Sequence, residues 1–208
     1  MRKIIYSSTV FMTALLVLAT TFIQTSQVAY VFAKYTEEEA HILGESVDMK
    51  VDYTFAYPGK VSPDNTMWIF KAIRDRIAYQ LTIDPTKKAE MALVLSDKRI
   101  IYAKELFKNE KGQLALSTLT KAEKYLDEAS IQIGIADSQK KDTAPFLRKL
   151  VLASIKHRME IDEIISIAPE SLRPEIIKIQ DYSKNVYNVS RDSLNSKGVE
   201  SPKNPYNQ

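Results

Sequence analysis

Residues 119–136, LTKAEKYLDEASIQIGIA, carry the most regular apolar pattern in the chain. Its apolar members recur at alternating spacings of three and four: Leu119, Ala122, Leu126, Ala129, Ile133 and Ala136. Such spacings place side chains on one face of an α-helix. The alternation of Leu or Ile with Ala suits close packing of helices at a shallow crossing angle. The stretch therefore predicts one helix of an antiparallel bundle.

A long helix precedes this stretch. Asp84-Pro85 places an acceptor side chain at the cap and a proline at the first helical position, which is a strong helix start. Its apolar stripe continues until about Asn109, and Lys111-Gly112 ends it. Because only a short turn remains before residue 119, this helix and the next are expected to form a hairpin.

Two more helices follow. The fourth is predicted to start at Asp142 or Thr143 and to close at Ala168-Pro169, since a residue before proline is disfavoured in helical geometry. The fifth is predicted to be capped by Ser171, with Pro174 in its first turn. These two helices form the second expected hairpin. The fold class is thus predicted as all-α, an antiparallel bundle of about five helices, with the helical domain at residues 57–195.

The short first helix is predicted to begin near Asp64 or Asn65 and to lie across the hairpins. One apolar stripe runs along it and is expected to dock on the helices that follow: Met67, Phe70, Ile73, Ile77 and Leu81. Trp68 and Tyr79 fall on the opposite side. Two interpretations of this second side are open. The aromatic residues pack beneath the preceding segment, or they form an exposed patch for a partner or a membrane surface.

Residues 1–33 have the three parts of a secretory leader. Arg2 and Lys3 give a positive start, residues 4–23 are largely apolar, and β-branched Val31 and small Ala33 lie where cleavage is expected, after Ala33. The alternative is an uncleaved anchor, because about 18 apolar residues can cross a bilayer. Both place the remainder outside the cytoplasmic membrane, since the positive end stays in the cytoplasm. We therefore expect an extracytoplasmic location, with membrane contact only through this segment if it stays uncleaved.

Charge and composition exclude several classes of function. The formal net charge is +3, and removal of residues 1–33 takes away Arg2 and Lys3 but no acidic residue, which leaves +1. A nearly neutral chain lacks the basic footprint of a nucleic-acid-binding protein. Cysteine is absent, so no disulfide supports the fold. Residues 34–56 are predicted to be a flexible tether and residues 196–208 a disordered tail.

Reactive groups are few. His41 and His157 are the only histidines. His157 lies on the apolar flank of the fourth helix, where we expect a hydrogen-bonded histidine in the interior or at its boundary; a metal ligand is the alternative. The methionines are too scattered for a metal site. Most carboxylates are expected on solvated helix faces: Glu123, Asp127, Glu128, Glu160, Asp162 and Glu163. We predict no catalytic, cofactor-binding or metal-binding residues, and no cofactor.

Three stretches resemble an exported bacterial helical family that is catalogued only as a domain of unknown function. The first is a proline turn and helix start, the second is a long-helix start, and the third leads into the last helix. They comprise Pro58-Gly59, Pro63-Asp64, Trp68, Lys71 and Arg74-Asp75-Arg76-Ile77; then Leu81, Asp84-Pro85, Lys87-Lys88-Ala89-Glu90 and Arg99; then His157 and Ala168-Pro169-Glu170. Ser62 and Tyr102 depart from the family pattern. The resemblance implies an all-helical extracytoplasmic domain and supplies no activity.

Long helices and scarce reactive groups favour a non-enzymatic role. We expect a structural or protein-interaction module of the bacterial cell envelope, whose partner is an unidentified envelope protein. The alternative is an extracytoplasmic sensor or regulatory domain that signals to a membrane or regulatory partner.

Overall fold

A computed structural model describes residues 51–207 of the chain, and residues 1–50, which include the predicted leader and most of the predicted tether, lie outside it. Within the described part the helices are α1 (Trp68–Leu81), α2 (Pro85–Lys108), α3 (Gly112–Ser138), α4 (Ala144–Ile167) and α5 (Arg173–Ser196), with 3₁₀ turns at Glu170–Leu172 and Pro205–Asn207. No strand occurs between residues 51 and 207, and the prediction of an all-α bundle of five helices is confirmed.

Local chemistry explains some of the helix boundaries, but the predicted Ser171 cap is wrong, because Ser171 lies in the 3₁₀ turn before α5 and Leu172 is the N-cap residue. The Asp84 side chain accepts a hydrogen bond from the Lys87 amide at 3.0 Å, and Pro85 occupies the first position of α2. The α4 helix begins directly after Thr143 and ends at Ile167, immediately before Ala168-Pro169. The α1 helix starts at Trp68, a few residues later than predicted, because residues 63–67 form turns instead.

The long helices form two antiparallel hairpins. Residues 109–111 join α2 to α3, and Glu110 there adopts a positive φ of 59° that reverses the chain. Residues 168–172 join α4 to α5. The two hairpins pack against one another through α3 with α5 and α2 with α4, so the predicted pairing is confirmed.

The predicted apolar seam of α3 lies in the centre of the bundle. All six of its members are at most 1% exposed: Leu119, Ala122, Leu126, Ala129, Ile133 and Ala136. They divide between two clusters, each of which draws side chains from all four long helices. The core therefore ties the two hairpins into one packed unit. None of the helices within residues 51–207 is long and apolar enough to cross a bilayer.

The packing face of α1 is the reverse of the predicted one. The expected docking stripe, exemplified by Phe70 and Ile73, is 46–66% exposed, so that prediction is wrong. The other face, with Trp68 and Tyr79, rests on α2 and α3. The physical reason is that this face combines aromatic area with polar groups that find hydrogen-bond partners on the bundle.

The segments on either side of the helices lie on the bundle. Residues 51–56, here called the strap, were expected to belong to the tether, yet Ala56 is only 6% exposed and Tyr53 packs against the core. In the tail, expected to be disordered, Val199 packs on the same core, and Tyr206 contacts the cluster around Ile155. A few aliphatic and aromatic side chains in otherwise polar segments explain both placements.

Candidate functional sites: an exposed helix face and a buried histidine

The inner face of α1 is fixed by a lysine set between aromatic rings. Lys71 Nζ donates to the Pro58 carbonyl at 2.8 Å and to the Tyr102 hydroxyl at 2.9 Å. It also lies 5.0 Å from the Trp68 ring centroid and 5.1 Å from that of Tyr102. Burial lowers the pKa of Lys71 to about 8, although the Asp75 carboxylate opposes the shift. This group joins the N-terminal half of α1 to α2 and to the preceding turn.

The C-terminal half of α1 is held in a similar way. The Tyr79 hydroxyl donates to Glu128 Oε1 at 2.6 Å, and its ring meets that of Tyr125 edge-on at 5.9 Å. Lys88 Nζ lies 4.9 Å from the Tyr79 ring centroid. Because both halves are attached by specific contacts, α1 keeps a defined orientation on the bundle.

That orientation turns a continuous apolar surface toward solvent. We define the outer face of α1 by Met67, Ile69, Phe70, Ile73, Ile77 and Leu81, which are 46–66% exposed. Ile83, just beyond the helix, is 94% exposed. At 3.6 residues per turn, Arg74 and Arg76 fall at the two edges of this face, and Arg74 pairs with Asp75 at 2.7 Å.

The outer face is unusual for a helix mounted on a folded domain. Single exposed apolar residues are common, but a contiguous group on one helix face marks a binding surface. The α1 helix has 14 residues, and at 1.5 Å per residue it presents a ridge roughly 21 Å long. Its side chains offer apolar contact and no acid, base or nucleophile, so the face suits recognition.

The second candidate site is a buried ionic centre around His157, which is 0% exposed. Its Nδ1 lies 2.6 Å from Glu123 Oε1, and its Nε2 lies 3.2 Å from Asp97 Oδ1. The Phe55 ring contacts the imidazole edge-on at 5.2 Å. Asp97, Glu123 and His157 belong to α2, α3 and α4 respectively, so the centre links both hairpins. The predicted interior, hydrogen-bonded histidine is confirmed.

The two carboxylates keep the histidine charged. Burial disfavours the imidazolium, but Glu123 and Asp97 outweigh that effect and raise the pKa of His157 to about 9. In the imidazolium both ring nitrogens carry hydrogens, and each has an acceptor here. One positive charge between two negative ones leaves an excess negative charge, and Glu123 Oε2 is buried without a hydrogen-bond partner in the described part of the chain.

Asp97 also anchors the strap. Its Oδ2 accepts hydrogen bonds from the Tyr53 hydroxyl at 2.8 Å and from the Ala56 amide at 3.1 Å. Burial, followed by the Asp97 charge, raises the pKa of Tyr53 well above its ordinary value. The position of the segment that enters the bundle therefore depends on a buried carboxylate of α2.

Some predictions for polar residues are wrong. Glu123 was expected on a solvated face but is 0% exposed, and Glu160 is 8% exposed and paired with Lys104 at 2.5 Å. Arg99, one of the residues that carry the family resemblance, is 7% exposed and its guanidinium lies 4.5 Å from the Tyr125 ring centroid. Sequence reasoning also missed Asp97. A usable signal was that Glu123 sits four residues after Leu119 and three before Leu126, on the seam face.

The ionic centre is not arranged as a metal site. The carboxylates of Asp97 and Glu123 bind opposite ring nitrogens, so the three side chains do not converge on one point. Within residues 51–207 no group of three or more His, Cys, Asp or Glu side chains is placed to hold a metal ion. His41 and Met49 lie outside the described residues.

The remaining polar candidates do not gather into a site. Asp127 lies on α3, where burial and then Glu128 raise its pKa. Asp162 accepts hydrogen bonds from Gln180 and Tyr206, each at 2.6 Å. Glu163 pairs with Lys104 at 2.6 Å. These carboxylates take part in separate structural contacts.

Comparison with known proteins gives a family without an assigned role. The family model described as Domain of unknown function (DUF5667) matches residues 60–164, which contain α1, α2, α3 and most of α4. No curated protein and no solved structure matches the chain. Both candidate sites draw their main residues from the matched region.

Proposed function

We propose, from the premise that this chain belongs to the family described as Domain of unknown function (DUF5667), that it is a non-enzymatic interaction module of the bacterial cell envelope. It binds another protein through the outer face of α1. The observation that carries the proposal is the group of six large apolar side chains that α1 holds 46–66% exposed on one side.

The shape and charge of this face favour a protein groove as its counterpart. A short amphipathic helix that places apolar side chains at spacings of three and four is a recurrent ligand of hydrophobic grooves. The edges of the face carry Arg74 and Arg76. A groove with an acidic rim would complement these charges and set the register of binding.

Two other occupants are less compatible with the same residues. If a second copy paired through this face, the arginines of both copies would meet along the edges, and like charges oppose such pairing. Helices that lie in a bilayer interface typically carry Trp at the apolar boundary and a Lys-rich polar face. Here Trp68 and Lys71 are turned inward onto α2.

The location outside the cytoplasmic membrane is part of the proposal. Its support is the leader pattern of residues 1–33, in which a positive start precedes an apolar stretch and a small residue at position 33. A chain without cysteine, with a formal net charge of +3 that falls to +1 once Arg2 and Lys3 are removed, is compatible with this compartment.

The test is site-specific photocrosslinking of the full chain in intact cells. A photoreactive residue replaces Ile77 on the outer face or, as the control, Ile131, which is 50% exposed on α3. We expect one protein adduct from position 77 and none from position 131. The partner identified from the adduct is then purified, and Phe70→Ser is expected to weaken its binding by about tenfold or more.

Other outcomes would overturn the proposal. An adduct of twice the chain's mass assigns the face to a second copy. Flotation of the full chain with anionic phospholipid vesicles that depends on Phe70 assigns it to a bilayer surface. Equal adducts from positions 77 and 131 would mean that the outer face is not a specific site.

A sensor domain is the second candidate, and the attachment of the strap to Asp97 favours it. The groups that face His157 and Asp97 are Tyr53 of the strap, Glu123 of α3 and Lys149 of α4. Loss of the proton from His157 would leave the buried carboxylates of Asp97 and Glu123 without a positive charge between them. This would destabilise the region in which Asp97 binds the strap. The protection factors of amides at residues 52–57, taken relative to the exchange rate of an unstructured chain at the same pH, should then fall between pH 7 and pH 10. If protection from exchange changed with pH by the same factor in α5 as at residues 52–57, the effect would be global and a local switch would be rejected.

A further inference from the structure

A small cavity lies on the opposite hairpin from the outer face of α1, between α4 and α5. Its volume is about 200 Å³. Asn204 and Tyr206 of the C-terminal segment cover one side, and Ile155 and Tyr187 line the inner wall. The cavity is distinct from the surface assigned above to protein binding.

Its polar lining is cationic. Arg158 and Lys184 line the cavity, and none of the described residues that line it is Asp or Glu; Asp162 and Asp181 lie behind the lining, paired with Tyr206 and Lys184. Arg158 Nε is buried and has no hydrogen-bond partner within the described residues. A buried guanidinium N–H without an acceptor is costly and indicates that an acceptor is supplied from elsewhere.

The arginine is held in place for such an acceptor. Its guanidinium carbon lies 3.6 Å from the Tyr206 ring centroid, a stacked arrangement. Tyr206 is fixed in turn because its hydroxyl donates to Asp162 Oδ2 at 2.6 Å. The aromatic contact orients the planar guanidinium without using its hydrogens, which remain for a ligand.

The second cation can turn toward the cavity at little cost. Lys184 Nζ pairs with Asp181 Oδ1 at 3.0 Å, and these side chains are 36% and 70% exposed. Exposed pairs of this kind contribute little to stability, because water screens the two charges. The hydroxyls of Ser154 and Ser183 donate to carbonyls of their own helices, so the charged donors at the cavity are the lysine and the arginine.

We propose that this cavity binds a small organic anion. Its carboxylate or phosphate group is held between Arg158 and Lys184, and its carbon skeleton lies against Ile155 and Tyr187. At roughly 30 Å³ per water, the cavity of about 200 Å³ has room for a molecule of about seven non-hydrogen atoms. Such a ligand would join the C-terminal segment to α4 and α5.

The test is calorimetric titration of the full chain with succinate and with inorganic phosphate. We expect saturable binding of at least one probe, and weaker binding at high salt because the contacts are ionic. Arg158→Gln should weaken binding by about tenfold or more, and Lys184→Gln by a smaller factor. Lys178→Gln is the control, because Lys178 is an exposed lysine on the same helix as Lys184 and does not line the cavity.

Binding that is saturable, weakened by salt and lost selectively in the two variants supports the site. Absence of saturable binding by both probes overturns it. An equal loss in Lys178→Gln overturns it as well, since the attraction would then be diffuse. Lys184→Gln keeps the test decisive if Arg158→Gln unfolds the C-terminal segment. No result here bears on the outer face of α1, so failure of one proposal leaves the other to its own test.

Discussion

His157 shows how a single residue can join four parts of a bundle. It carries a positive charge in a region from which water is excluded, and that charge persists because α2 and α3 each present a carboxylate to one ring nitrogen. Asp97 extends the connection to the strap through Tyr53 and Ala56. Buried charges are stable only when paired and hydrogen-bonded, so each of these groups depends on the others.

Protonation of His157 should make stability fall as the solution becomes alkaline. The pKa of His157 is raised from 6.5 to about 9 in the folded chain. A raised pKa gives stability that is complete below about pH 6.5 and lost as pH rises through about 9. Such a shift corresponds to roughly 3 kcal/mol. Urea unfolding of the full chain and of His157→Gln isolates this contribution, because the other titrating groups are common to both.

We expect the difference in free energy of unfolding between these two proteins to be large at pH 6 and to shrink by pH 10. Lys71, whose pKa is lowered to about 8, has the opposite pH dependence and cancels in the difference. A difference that is the same at both pH values would show that His157 is neutral in the fold.

Gly134 offers a stabilising substitution. It lies within α3, and a Cβ added to it would meet nothing within 4 Å. Because glycine inside a helix loses more backbone entropy than alanine, Gly134→Ala should raise the free energy of unfolding by about 0.5–1 kcal/mol. Thermal unfolding followed by circular dichroism measures this gain. A loss of stability would point to a role for the glycine that its open surroundings do not reveal.

Among the elements, the sequence period of α1 predicts a helix with two distinct faces but does not predict which face is buried. The pattern identified a helix and two distinct faces. Which face packs on the bundle depends on groups far away in sequence. The Tyr102 hydroxyl accepts a hydrogen bond from Lys71, and the Glu128 carboxylate accepts one from the Tyr79 hydroxyl. The larger apolar stripe was predicted to be buried, but the opposite face packs on the bundle because its side chains form hydrogen bonds and ring contacts there.

Local chemistry explains why other features were predictable. Asp84-Pro85 and Ala168-Pro169 define helix ends through capping and proline geometry, which involve only neighbouring residues. The helix that contains Leu126 has one clearly apolar face, so the sequence indicates directly which face is buried. The partners of Glu123 and Asp97 lie on other helices, 34 and 60 residues away, and a single sequence does not encode those pairings in any local pattern.

The two faces of α1 should respond differently to substitution. Trp68→Ala removes the ring that packs on Tyr102 and beneath Lys71; we expect α1 to be destabilised by about 2 kcal/mol. Phe70→Ser on the outer face should change stability by less than about 0.5 kcal/mol. Hydrogen exchange of α1 amides measures both effects. Equal loss of protection in the two variants would mean that the outer face is also packed.

At the scale of the whole molecule, the hairpins share their core. One cluster unites Ala92 of α2, Leu126 of α3, Leu150 of α4 and Val186 of α5. The contacts of His157 with Asp97 and Glu123 add charged interactions across the same interface. A hairpin that left the bundle would expose apolar surface and strand a buried ion, so separation of the hairpins is opposed by two independent effects.

This shared core predicts cooperative unfolding. Leu126→Ala removes a fully buried side chain where the hairpins meet, and such truncations cost about 2–5 kcal/mol. Because α5 packs against the same cluster, amides of α5 should lose as much exchange protection as those of α2. Ile131→Ala, on the solvent side of the same helix and 50% exposed, is the matched control and should cost under about 1 kcal/mol. If Leu126→Ala weakened protection in α2 and α3 while α4 and α5 kept theirs, the hairpins would be separate folding units, and the bundle could not hold α1 and the strap in one fixed frame.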